Sequence, residues 1–194
     1  MKLLIVTPDL GLGGTQGYVT KLKHDISPFV STSMVVLTGQ KTTNEYKFLG
    51  ARRVLFSIFR LYHYLKSIRP NQILVVMDHA LLAVVVANLF IRSETKIIYR
   101  PSSIPSVMSK YYKMGKLRLR LEKFLMNYFV SKIVFQSSDQ AAEYKTVKEH
   151  IVIGNYCEIP IGYTKSDNIK ILSIGRLSPE KGYSRIFNVY PSIG

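Results

Sequence analysis

The sequence has 194 residues, of which 47% are hydrophobic and 20% charged, and these proportions predict a globular chain and exclude a disordered one. The formal net charge of +15 favours an anionic partner, such as a phosphate-bearing substrate, an acidic lipid headgroup or a nucleic acid. The single cysteine, Cys157, excludes an internal disulfide and a cysteine-rich metal site.

The sequence also indicates where the protein resides. No secretory signal peptide is visible, because the short apolar run at the start leads directly into Thr7, Pro8 and Asp9. The longest charge-free apolar run, 80–91, is too short to span a bilayer. We therefore expect a cytoplasmic protein, either free or peripheral at the inner face of the membrane.

Short apolar runs alternate with helical patterns about six times along the chain. The apolar runs predict strands at 2–6, 33–37, 73–76, 96–99, 132–135 and 151–153. The helical patterns lie at 16–25, 51–69, 80–91 and 110–130, and residues 136–139 are placed to cap a further short helix. This alternation predicts an α/β fold with a doubly wound, Rossmann-like parallel sheet and helices on both faces.

The first predicted strand is followed by a glycine-rich loop, in which four of the seven residues from Gly11 to Gly17 are glycine. Thr15 is placed to cap the helix that follows. Glycines allow the backbone to approach a phosphate or a sugar closely, so this loop is a candidate ligand-facing segment. It is not the dinucleotide-binding fingerprint, because the third glycine is missing at the required spacing.

A second candidate phosphate loop lies near the end of the sequence. An apolar run at 170–174 ends at Gly175, and a basic loop with Arg176 and Lys181 leads through Gly182 into a helical pattern. Glycines, cations and a helix N-terminus together favour an anion. The alternative is an ordinary strand–turn–helix with two solvated charges, since glycine-rich turns are common after strands.

The pattern at 110–130 predicts a basic amphipathic helix, with leucine and aromatic residues on one face and lysine and arginine beside them. Such a helix is able to lie on an anionic membrane surface. The alternative is the solvated face of a helix that packs on the core. Nucleic-acid binding is disfavoured, because the basic residues are scattered over several helices and no nucleic-acid module is evident.

Composition divides the chain into three parts. Residues 1–155 carry the predicted α/β domain, and residues 156–168, which are irregular and polar and include Pro160, predict a linker. Residues 169–194 hold the strand, loop and helix that would open a second α/β domain.

Four motifs in order resemble the retaining GT-B glycosyltransferases of family 4, also called group 1. The strongest is Gly175-Arg-Leu-Ser-Pro-Glu-Lys-Gly182, which is similar to the donor-binding loop of that family. Gly13-Gly14-Thr15 resembles its N-terminal glycine loop. Residues 135–138 (Phe-Gln-Ser-Ser) and 153–156 (Ile-Gly-Asn-Tyr) resemble the stretches that close its N-terminal domain.

The resemblance implies that the protein transfers a sugar from a nucleoside diphosphate donor to a glycan or lipid-linked acceptor in cell-surface polysaccharide synthesis, without a metal or other cofactor. Arg176 and Lys181 would pair with the diphosphate, and Gly13 and Gly14 would approach it from the N-terminal domain, which also holds the acceptor. The remaining candidate sugar or acceptor contacts are Thr15, His79, Arg100 and Ser137.

Two departures from the family qualify this expectation. Arg100-Pro-Ser-Ser103 stands where the family has a histidine near the donor sugar, and the glutamate pair of the second domain is missing. We therefore expect a form truncated early in the second domain, with little activity alone. The alternative is a non-enzymatic basic α/β module that binds an anionic membrane or a protein partner.

Overall fold

A parallel sheet flanked by helices dominates the computed structural model, which describes residues 1–11, 14–39, 46–91, 94–111, 114–146, 148–155 and 183. The strands are β1 (Lys2–Thr7), β2 (Ser31–Thr38), β3 (Lys47–Ala51), β4 (Gln72–Val76), β5 (Lys96–Arg100), β6 (Lys132–Phe135) and β7 (His150–Val152). The α-helices are α1 (Gly14–Ile26), α2 (Ile58–Ile68), α3 (Asp78–Ile91), α4 (Pro105–Tyr111), α5 (Gly115–Phe129) and α6 (Ser138–Tyr144), and a 3₁₀ helix (Val54–Ser57) precedes α2.

The seven strands form one sheet in the order β3-β2-β1-β4-β5-β6-β7, and every neighbouring pair is parallel. The chain fills the sheet outward from β1 in one direction and then from β4 in the other. The predicted α/β, doubly wound, Rossmann-like class is therefore confirmed. The strand order reverses between β1 and β4, and a crevice forms at the carboxyl ends of strands at such a reversal.

The sheet is buried on both faces, which is why its central strands are continuously apolar. In β1, Leu4 and Val6 face the larger core with α2, α3 and α5, whereas Leu3 and Ile5 face the smaller core with α1. All four of these side chains are buried. The helices α1 and α5 therefore lie on opposite faces of the sheet.

Three predictions about helices require correction. The helix predicted at 51–69 begins at Ile58, because Lys47–Ala51 forms the edge strand β3 and a 3₁₀ helix follows it. The pattern missed β3 because it is a five-residue strand with a register shift beside it and contains Gly50 at φ 62°. Thr15 does not cap α1, since the helix already begins at Gly14.

The helix predicted at 110–130 is two helices, and α5 begins at Gly115 against α4. A Cβ atom at Gly115 would lie 1.9 Å from the backbone oxygen of Met108, so only glycine permits this approach. The helix α4 starts at Pro105, because the first position of a helix tolerates proline. The short helix after residues 136–139 is confirmed, with Ser137 as its N-cap.

Candidate functional site

A cavity of about 620 Å³ opens at the carboxyl ends of β1 and β4, where the strand order reverses. Loops that leave parallel strands at such a point form the usual ligand crevice of an open α/β sheet. The cavity is bounded by the ends of β1, β2 and β4, by the 3₁₀ helix and by one side of α5. The lining residues are Pro8, Asp9, Thr38, Arg52, Arg53, Val54, Leu55, Met77, Asp78, His79, Leu82, Arg118, Leu121, Glu122 and Leu125.

Three charged or titratable side chains meet in this cavity. Arg118 of α5 donates from one Nη2 to Asp78 Oδ2 at 2.5 Å and approaches His79 Nε2 at 2.8 Å. The second ring nitrogen, His79 Nδ1, lies 2.9 Å from Asp78 Oδ1. A neutral ring that accepts at Nε2 and donates from Nδ1 satisfies both contacts.

The pKa of Asp78 reflects two opposing effects. Burial would raise it, but hydrogen bonds from His79 and Arg118, together with the electrostatic attraction of both side chains, outweigh burial and lower the pKa below its ordinary value. Asp78 therefore stays ionised at neutral pH. It also lies in the first turn of α3, where the helix dipole favours a negative charge.

The turn that presents this cluster is strained at Met77. Its φ of 74° is the left-handed conformation, which a non-glycine residue adopts at a cost of about 1–3 kcal/mol. The conformation ends β4 abruptly and starts α3 at the next residue. Because such strain persists where the surrounding structure imposes it, Met77 marks a turn that fixes the direction of Asp78 and His79.

Beneath this cluster lies Glu122, which is 3% exposed and lines the cavity from α5. Its Oε1 accepts from Tyr99 Oη at 2.6 Å and from Tyr144 Oη at 2.8 Å, and its buried Oε2 has no hydrogen-bond partner among the described residues. Burial raises the pKa of Glu122 to about 7, although the two tyrosine hydrogen bonds act in the opposite direction. The carboxyl group therefore titrates near neutral pH.

The start of the glycine-rich loop is held by Asp9, which also lines the cavity. Its Oδ1 accepts from the backbone amide of Gly11 at 3.0 Å and from Gln16 Nε2 at 2.9 Å. One carboxylate oxygen of Asp9 thus links the segment that follows β1 to the first turn of α1.

The residues predicted from the sequence are only partly brought together. His79 lines the cavity, whereas Gly14 and Thr15 lie in the first turn of α1 and Ser137 caps α6 by accepting from the amide of Gln140 at 3.2 Å. The predicted donor loop (Arg176 and Lys181), the loop residue Gly13, the linker 156–168 and nearly all of 169–194 lie outside the described residues.

Arg100, the predicted substitute for a sugar-binding histidine, is 2% exposed. Its guanidinium donates to the backbone oxygen of Ile153 at 3.0 Å and to Asn155 Oδ1 at 2.6 Å, and it lies 4.4 Å from the ring centroid of Tyr18. Burial lowers its pKa, and the charge interaction with Tyr18 opposes this. In this structure Arg100 ties the end of β5 to the segment that leaves β7.

The sequence reasoning missed Asp78, Arg118 and Glu122 as members of one site. Arg118 is 40 positions from Asp78, and no local pattern connects them. A signal for Glu122 was present, because it is the only acidic residue of α5 and shares a helical face with the buried Leu125. An acidic residue on a buried face indicates a hydrogen-bonded or functional carboxyl group.

The described residues contain neither a metal-binding cluster nor a membrane-spanning helix. No three His, Cys, Asp or Glu side chains lie close enough together there to hold a metal ion. None of the described helices is both long enough and apolar enough to cross a bilayer.

No protein-family model and no curated protein sequence matches this chain. Solved structures do match its fold. HepE from Anabaena, in complex with UDP and glucose, superposes with a TM-score of 0.64 at 13% identity, over 80% of this chain and 44% of that one. The lipopolysaccharide outer core galactosyltransferase WaaB superposes with a TM-score of 0.62 at 15% identity, over 83% and 47% of the two chains.

A protein named as an epimerase, and not as a glycosyltransferase, shares the fold as well. UDP-N-acetylglucosamine 2-epimerase from Rickettsia bellii superposes with a TM-score of 0.55 at 11% identity, over 80% of this chain and 45% of that one. This chain spans less than half the length of each of these proteins. At such low identities the likeness shows the fold alone, which is the α/β Rossmann-like fold found in about half of each longer chain.

Proposed function

We propose that this chain forms the acceptor-side domain of a glycosyltransferase that uses a nucleoside diphosphate sugar. The observation that carries the proposal is the cavity at the β1–β4 reversal, in which Asp78, His79 and Arg118 are in mutual contact. Carboxylate, imidazole and guanidinium groups are the donors and acceptors that sugar hydroxyls require. The fold likeness to HepE with UDP and glucose, and to a galactosyltransferase, supports this choice.

The resemblance noted in the sequence supplies the donor side of the proposal. Arg176 and Lys181 would neutralise the leaving diphosphate without a metal, and Gly13 and Gly14 would let the backbone approach it. The family would be family 4, with retention at the anomeric carbon and transfer of a hexosyl group. The two domains would be 1–155 and the part from 169 onward, joined by 156–168.

The acceptor side of the proposal is a glycan or lipid-linked sugar of cell-surface polysaccharide synthesis, bound at the cytoplasmic face of the membrane. A sugar would enter the 620 Å³ cavity, which lies within the usual range for small-molecule sites. The preformed cluster around Arg118 would orient it. A second candidate is a non-enzymatic basic module, favoured by the exposed apolar side chains beside the cations of α5.

Calorimetric titration of the 194-residue chain tests the proposal with two ligand panels, glycans and nucleoside diphosphate sugars. We expect glycan binding that weakens at least tenfold in Arg118→Gln and stays within about twofold in Lys66→Gln, an exposed cation outside the cavity. We also expect turnover far below the usual range of about 1–10³ s⁻¹. Ordinary turnover by this chain, or loss of nucleotide-sugar binding in Arg118→Gln, would contradict the assignment of the cavity to the acceptor.

A further inference from the structure

Helix α5 exposes a continuous apolar stripe. Leu117, Leu121, Phe124 and Tyr128 follow one another at intervals of four, three and four residues, so they lie on one helical face. Their exposed fractions lie between 42% and 72%. The opposite side of α5, with Leu125 and Met126, is buried in the core. The stripe is therefore an outward surface and not the core-packing face.

Cations flank this stripe, and exposed acids do not. Lys116 and Arg120 are exposed beside the apolar positions of α5, whereas Lys123 is half-buried and its Nζ lies 5.9 Å from the ring centroid of Tyr144. The only acidic residue of the helix, Glu122, is buried and accepts from two tyrosine hydroxyls. The outward surface of α5 therefore combines apolar side chains with positive charge, and this helix itself contributes no exposed acid to it.

The 3₁₀ helix presents a second surface of the same composition. Leu55 and Phe56 are 57% and 70% exposed, and the exposed Arg52 and Arg53 immediately precede that helix. The sequence contains no Asp or Glu from 46 to 77. Both surfaces border one cavity, since Leu55 lines it from one side and Leu121 from the other.

We propose that these two surfaces, which together we call the rim, bind an anionic phospholipid bilayer with the cavity opening toward the lipid. A bilayer matches both components, because cations sit at acidic headgroups while leucine and aromatic side chains enter the headgroup–acyl boundary. A second copy of the chain would bring two cationic rims together, which like-charge repulsion opposes.

This inference deepens the proposed function, and only one of its consequences, the access of a lipid-linked acceptor to the cavity, rests on that function. A lipid-linked acceptor held in the bilayer would reach Arg118 and His79 without leaving the membrane surface, because the cavity lies between the two parts of the rim. Bilayer binding itself requires no sugar. Vesicle experiments without glycan therefore test the rim independently of glycosyl transfer.

The chain contains no tryptophan, so a single introduced tryptophan reports its own surroundings. Phe124→Trp places the probe in the stripe, and Phe29→Trp places it in the turn after α1, at a position that is 85% exposed. Vesicles with 30% phosphatidylglycerol in phosphatidylcholine should shift the Phe124→Trp emission to the blue and leave Phe29→Trp unchanged. Equal shifts, or none, would overturn the proposal.

The charge requirement is measured by titrating the same vesicles into variants of the Phe124→Trp protein. Each cation near an anionic surface contributes roughly fivefold to binding, so Lys116→Gln and Arg120→Gln together should weaken it about 25-fold. The matched control removes two exposed cations at the other end of the sheet: Lys66→Gln and Lys96→Gln. Similar losses in both double variants would overturn the assignment to α5.

Two other occupants of the rim give distinct results. A protein partner or a second copy would make the Phe124→Trp emission depend on protein concentration, or shift it before vesicles are added, and either result would overturn the proposal. Equal binding to pure phosphatidylcholine vesicles would overturn its electrostatic part. Vesicle binding without any glycan binding would support bilayer binding by the rim and contradict only the proposed glycosyltransferase function.

Discussion

The buried carboxyl group of Glu122 makes the stability of the protein depend on pH in a calculable way. Its pKa rises from an ordinary value of 4.5 to about 7 because burial disfavours the ionised form. The facing groups are Tyr99, Tyr144, Asp78 and Arg118, of which Asp78 raises the pKa and the others lower it. The substitution Glu122→Gln keeps the acceptor for both tyrosine hydroxyls and removes the titration.

The sign of this pH dependence follows from the number of protons that the folded and unfolded chains bind. Between pH 4.5 and about 7 the folded chain holds the Glu122 proton that the unfolded chain has released, so stability is fully present below pH 4.5 and decreases as pH rises through 7. The rise is about 2.5 pH units, and about 1.36 kcal/mol per unit gives a loss of about 3 kcal/mol. In Glu122→Gln this loss should be absent.

Urea unfolding of both proteins at pH 4 and pH 8 measures the effect. We expect the free energy of unfolding of Glu122→Gln, relative to the wild type, to increase by about 3 kcal/mol between the two pH values. Glu149→Gln is the matched control, because Glu149 is an exposed partner of Lys132, and it should show no such increase. A constant difference between wild type and Glu122→Gln would refute the reasoning, since Glu122 would then have the same pKa in the folded and unfolded chains.

Three further substitutions test the framework of the site. In urea unfolding, Gly115→Ala should lower the free energy of unfolding by about 1–3 kcal/mol, because the added Cβ would overlap the backbone of Met108. The control Gly17→Ala, whose Cβ would have no neighbour within 4 Å, should be neutral or stabilising. Ser137→Ala should lower it by about 1 kcal/mol through loss of the α6 cap, with the exposed Ser138→Ala close to neutral in the same assay. Arg100→Met should accelerate amide hydrogen exchange near 153–155 about tenfold or more, because Ile153 and Asn155 lose the guanidinium that donates to them. Exchange in β1 should be unchanged.

Each of these predictions has a clear contrary result. Equal stability of Gly115→Ala and Gly17→Ala would mean that α4 and α5 do not approach as described. An unaltered Ser137→Ala protein would remove the energetic role of the cap. Exchange that rises uniformly across the sheet in Arg100→Met would indicate global destabilisation and not a local tie to the segment after β7.

The sequence predicted best the elements whose boundaries are chemically sharp. The strand 132–135 coincides with β6, because the apolar run 133–135 follows Lys132 and ends at polar Gln136. The edge strand β3 was missed, because a five-residue strand with Gly50 at positive φ lacks a clear apolar alternation. The break before Gly115 was also missed, because the apolar pattern of α5 continues across it.

The site was less predictable than the fold, because it forms from residues that are distant in sequence. His79 was identified as a candidate, but its partners Asp78 and Arg118 meet only when α3 packs beside α5. Arg100 was named as a candidate sugar or acceptor contact because it stands where the resembled family has a histidine, and its burial toward Asn155 depends on how the chain leaves β7. A local pattern gives no information about such long-range pairs.

The central claim is that the cavity at the β1–β4 reversal binds an acceptor sugar. Nuclear magnetic resonance of the isotope-labelled 194-residue chain, titrated with a glycan panel, tests this most directly. We predict that the ring signals of His79 and the guanidinium signals of Arg118 shift with a glycan and that Arg118→Gln abolishes the response. Saturable shifts located elsewhere, or no shifts with any glycan at millimolar concentration, would contradict the claim.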